Sequence, residues 1–135
     1  MDVVKIRKAV LEEIVEHTRQ EAPLECCGLL TGEGDVITRI RKMTNVLRSP
    51  VRFSMDPQAL FLFFKDIRSL PEKHLGIYHS HPASEAYPSP VDIEQAFYPD
   101  CDYLIASLRH PPHNTVRAFR ICNCAVLERK ILVID

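Results

Sequence analysis

The chain has 135 residues, 26% of them charged, and a net charge of −1. That length predicts one domain over residues 1–135 with room for a real core, and the near-neutral balance leaves no electrostatic footprint for nucleic acid. No apolar run approaches the ~18 residues of a membrane helix, Met1 to Gln20 lacks the apolar segment of a signal peptide, and five cysteines, two of them adjacent, argue against a disulfide framework and for a reducing cytoplasm.

Val3 to Ile6 predicts a short first strand. Lys8 to Gln20 carries Val10, Leu11, Ile14 and Val15 as a helical stripe, with His17 and its charged neighbours on the wet face. Ala22-Pro23 ends that helix. Cys26 to Thr31 reads as a strand, Gly32-Glu33-Gly34-Asp35 as a hairpin turn, and Val36, Ile37 and Ile40 as its partner strand, with Arg39, Arg41 and Lys42 on a solvated edge. Thr44 to Ser54 is loop-like. Asp56-Pro57 starts a second helix that runs to about Ser69, with Leu60, Phe61, Phe63, Phe64 and Ile67 spread over more than one face. A strand through Leu75, Ile77 and Tyr78 follows, ending where two histidines begin. Ser89-Pro90 opens a third helix to about Phe97. Asp102 to Leu108 is a further strand. His110-Pro111-Pro112-His113-Asn114 is a turn whose histidines have no third ligand near them in sequence. Thr115 to Ile121 and Ala125 to Val133 close the chain as a strand pair about Asn123, with Cys122 and Cys124 as buried thiols. Strands mixed with three helices, 8–20, 56–69 and 89–97, predict an α/β fold with a mixed central sheet.

One stretch carries chemistry. His79 and His81 stand two apart at a strand end, so their imidazoles project from one face. Asp92 falls in the first turn of the third helix. Two imidazole nitrogens, one carboxylate oxygen and a water make a tetrahedral zinc site with one open position. Each residue also has a plain structural reading: packed histidines, and Ser89-x-x-Asp92 as a capping box. From the residue types alone, both readings stand.

His79-Ser80-His81-Pro82, then Ser89 and Asp92, resembles the signature of the JAMM, or MPN-plus, zinc metalloproteases. Pro23-Leu24-Glu25-Cys26-Cys27-Gly28-Leu29-Leu30 resembles the upstream segment that carries that family's glutamate. The resemblance runs from about Ile6 to near Phe119. It implies a cytidine-deaminase-like α/β sandwich, one Zn2+ per chain held by His79, His81 and Asp92, Glu25 as general acid–base, and Ser89 as hydrogen-bond donor to the developing oxyanion. Residues 80–89 and Asn45 through Phe53 look most like small bacterial members that release cysteine or a short peptide from the Gly-Gly tail of a β-grasp, ubiquitin-like sulfur-carrier protein. The implied alternatives are an isopeptidase for ubiquitin-like conjugates and a non-catalytic MPN interaction module. A homodimer is one oligomeric option. A nucleobase deaminase is disfavoured, because its His-x-Glu and Pro-Cys-x-x-Cys are missing.

Overall fold

The computed structural model describes residues 3–109 and 115–135. The described elements are β1 (Val3–Arg7), α1 (Lys8–Glu21), β2 (Cys27–Gly32), β3 (Val36–Ile37), β4 (Arg39–Met43), α2 (Pro57–Ile67), β5 (Lys73–His81), α3 (Pro90–Glu94), β6 (Asp102–Ser107), β7 (Thr115–Cys122) and β8 (Ala125–Ile134). The expected turn at 110–114 lies outside the described residues. The strands form one mixed sheet in the order β3-β1-β8-β7-β6-β5-β2-β4. At its centre β5 runs parallel to β6 and antiparallel to β2. No described helix is long and apolar enough to cross a membrane.

Side-chain alternation along each central strand feeds two cores. Leu30, Tyr78, Leu104 and Ala118 pack with Val10 and Ile14 of α1. Leu29, Ile77, Ile105 and Phe119 pack on the opposite side with Phe63 of α2. His79 and His81 share the parity of Ile77, so both fall on the α2 side of the sheet. Full burial of side chains of this size stabilises by roughly 1.5–3 kcal/mol each.

Several expectations are corrected. His17 is buried, not wet, with Nδ1 2.8 Å from Tyr78 Oη. A core tyrosine hydroxyl needs a partner, and α1 turns its histidine inward to supply one. The expected partner strand of the first hairpin is two strands. β3 pairs parallel with β1 and β4 antiparallel with β2, split at Thr38, whose N–H donates to Thr31 O. The residues thus reach both ends of the strand order. β5 does not stop before the histidines but runs through them, in register with β6 as far as His81–Ser107. The third helix ends at Glu94 instead of about Phe97. Its would-be next turn is lost because Tyr98 precedes Pro99 and gives its N–H to Tyr103 Oη at 3.0 Å. Cys122 and Cys124 are exposed. Asn123 and Cys124 both take positive φ, 51° and 65°, which forms the tight turn between β7 and β8 and carries the thiols to its tip.

Candidate active site

β5 and α3 build the first part of the site. His79 Nε2 lies 3.1 Å from His81 Nε2, and Asp92 Oδ2 lies 3.1 Å from the first and 3.0 Å from the second. Ser89 caps α3, its Oγ accepting the Asp92 N–H at 3.1 Å, while Ser89 N–H donates to Asp92 Oδ2 at 2.9 Å. The capping box therefore also aims the carboxylate, so the capping role of Ser89-x-x-Asp92 is compatible with a ligand role for Asp92.

The donor chemistry fits a metal ion. His81 Nδ1 lies 2.8 Å from Glu85 O. A carbonyl only accepts, so Nδ1 carries the proton and neutral His81 presents a bare lone pair at Nε2. That lone pair faces a carboxylate oxygen at 3.0 Å. Two acceptors at this separation repel unless a proton or a cation lies between them. Two imidazole nitrogens and one carboxylate oxygen, all largely buried, make a set that could hold one metal ion, and the set suits zinc.

Glu25 precedes β2 and reaches the same place through pairing of distant strands. It is buried, 3% exposed, and its Oε1 has no hydrogen-bond partner among the described residues. Burial pushes its carboxyl up to about 8, with His81 opposing and Asp92 adding to the shift. Burial works against ionised Asp92, but the His79 and His81 rings beside its carboxylate and the Ser89 amide outweigh it and hold the carboxyl far below its ordinary range. Burial lowers His79 despite Asp92. Burial also works downward on His81, but Asp92 and the Glu85 carbonyl outweigh it and raise that imidazole.

The remaining wall comes from the segment 44–55. Phe53 stacks on His79, centroids 4.6 Å apart and planes at 27°. A cavity of about 180 Å³ opens beside His79 and Asp92, walled by Phe53, Met55, Leu60, Ile77 and Tyr103. Residue-by-residue reading missed three contributors: Phe53, Asn45 and Ser80. Phe53 and Asn45 lie in a stretch whose resemblance to small bacterial members was the one available signal. Nothing local marks Ser80, whose hydroxyl accepts the Cys26 N–H at 2.8 Å.

A family model described as prokaryotic homologs of the JAB domain matches residues 7–122. The chain belongs to this family. Among curated JAB relatives, the CysO-cysteine peptidase of Mycobacterium tuberculosis is 37% identical over 98% of this chain and 92% of its own. A desampylase of Haloferax volcanii is 36% identical over 71% of this chain and 74% of its own. A solved Desulfitobacterium hafniense protein superposes with TM-score 0.85 at 38% identity, over 98% of this chain and 93% of that one. A structure described as a JAMM metalloprotease-like zinc site in the proteasome and signalosome shares the fold, with TM-score 0.61 at 18% identity over 96% and 98%. This JAB chain is a hydrolase of the peptidase type.

Proposed function

We propose that this protein is a zinc peptidase that cleaves after the C-terminal Gly-Gly of a ubiquitin-like sulfur-carrier protein, releasing cysteine or a short peptide. The observation that carries the chemistry is the convergence of His79, His81 and Asp92, with a buried Glu25 that is electrostatically coupled to His81 and Asp92 and whose Oε1 has no hydrogen-bond partner among the described residues. The substrate class is supported by the CysO-cysteine peptidase relative, aligned over nearly the whole chain.

In this reading His79, His81 and Asp92 hold one zinc ion per chain. Zinc bound there supplies Lewis-acid polarisation of the scissile carbonyl and activation of water. Glu25 takes a proton from the attacking water and returns it to the leaving amine, as oxygen bonds to the carbonyl carbon and the C–N bond breaks. Glu25 is buried and its Oε1 has no hydrogen-bond partner among the described residues, so that oxygen can take up a proton without breaking another contact. Ser89 Oγ accepts from Asp92 N–H with one lone pair, so its own proton is free to stabilise the developing oxyanion. Phe53 and the apolar cavity wall exclude bulk water beside His79. A thin Gly-Gly tail needs no large pocket and docks as an extended strand along a sheet edge.

The test is mass spectrometry of a cysteine-extended sulfur-carrier protein incubated with zinc-loaded protein. We expect loss of one cysteine residue, abolished by chelator and by His79→Ala. A second reading, an isopeptidase for ubiquitin-like conjugates, is favoured by the desampylase relative. Cleavage of an isopeptide-linked conjugate with no action on the cysteine-extended carrier would select it.

A further inference from the structure

Glu25 lies outside every described strand, so the sheet ladder alone does not set its position. One loop grips its peptide from both sides. Glu25 N–H donates to Ser49 O at 2.9 Å, and Glu25 O accepts from Asn45 Nδ2 at 3.0 Å. The same Nδ2 donates to Arg52 O at 3.0 Å. Asn45 Oδ1 accepts from Leu47 N–H at 3.1 Å and from Ser54 N–H at 3.2 Å. This buried side chain therefore uses both donors and both acceptor positions of its amide on four backbone groups. Aspartate has no donors to offer the two carbonyls, and an apolar isostere has neither donors nor acceptors. The strip from Arg52 to Ser54 carries Phe53, which lies on His79. Asn45 thus ties the backbone of Glu25 to the wall that packs against His79.

We infer that Asn45 is a positioning residue for proton transfer, holding Glu25 in register with the Phe53–His79 stack and acting on the reaction through Glu25. This rests on the proposed role of Glu25.

Asn45→Asp keeps the side-chain size and replaces the donor facing two carbonyl oxygens with an acceptor. On the cysteine-extended carrier, kcat should fall about ten- to a hundred-fold, the scale expected for a misplacement near 1 Å. KM should change much less, and zinc content should stay at one per chain. In a Glu25→Ala background the same substitution should cost nothing further. An equal loss in both backgrounds, measured on the residual turnover of Glu25→Ala, or an unchanged kcat beside a strongly impaired Glu25→Ala protein, overturns the inference. Full turnover by Glu25→Ala itself instead overturns the reading of Glu25. Amide exchange tests the clamp without turnover. Asn45→Asp should speed exchange at Glu25 and Ser54 by roughly ten-fold or more, the effect of losing about 1.4 kcal/mol of local protection, and leave Leu104 in β6 unchanged. An unchanged Glu25 amide overturns the clamp. Should Asn45→Asp not fold, Asn45→Ser, which keeps one donor and one acceptor, is carried through the same comparisons.

Discussion

Ser80 and Cys26 exchange two hydrogen bonds: Cys26 N–H donates to Ser80 Oγ at 2.8 Å, and Ser80 N–H donates to Cys26 O at 3.0 Å. The residue after Glu25 is thereby fastened to the residue between the two histidines. Both partners are buried, at 1% and 0% exposure. Ser80→Ala leaves a buried N–H unpaired and should cost about 1–3 kcal/mol. Urea unfolding measures this, and a loss below a few tenths of a kcal/mol would show that the pair is not what fastens Glu25 in place.

Asp92 Oδ2 is shared by two imidazole nitrogens and the Ser89 amide. Asp92→Asn removes the charge that completes the proposed ligand set while keeping much of the cap. We expect zinc to be lost on dialysis and activity with it. Zinc should raise the melting temperature of the wild type, because a ligand bound only by the folded state stabilises by about 4 kcal/mol at a thousand times its Kd. The same addition should leave Asp92→Asn unmoved. Equal zinc-induced shifts in both proteins would remove Asp92 from the set.

Glu25 gives a signed pH dependence. Its ordinary value is 4.5, and burial in the folded chain pushes it up to about 8. Between those values the unfolded chain has shed the proton and the folded chain keeps it. The folded state therefore binds more protons, and stability falls as pH rises through that window, with the contribution present below it gone above it. Chelator-treated wild type should lose up to about 1.4 kcal/mol per pH unit relative to Glu25→Gln, which cannot titrate. Parallel stability–pH curves for the two proteins would refute a buried, protonated Glu25.

Gly28 and Tyr78 are cross-strand partners in β2 and β5. A Cβ on Gly28 would stand 2.3 Å from Tyr78 Cε1 and 2.4 Å from its Oη. The ring is fully buried and its hydroxyl is held by His17, so it has little room to yield. Gly28→Ala should destabilise by about 1–3 kcal/mol, the usual cost of overpacking. Calorimetry with an unchanged melting temperature would contradict this packing.

The sequence by itself determined what short-range geometry controls. A two-residue spacing in a strand puts His79 and His81 on one face, a serine before proline starts α3, and Asp92 follows one turn later. Most strand segments, α1 and α2 were legible for the same reason: period and punctuation act over a few residues, whereas the split of β3 from β4 was not. Only the tertiary structure decided which distant pieces meet. That β2 lies beside β5 brings Cys26 to Ser80 across 54 positions, and Glu25 with it. That Tyr78 needs a hydroxyl partner turns His17 inward, and that Tyr103 captures the Tyr98 amide cuts α3 short. Asn45 acts only because four backbone groups from Glu25 and its own loop converge on it. These outcomes follow from strand order and from satisfying buried polar groups across the core, and no local periodicity encodes either.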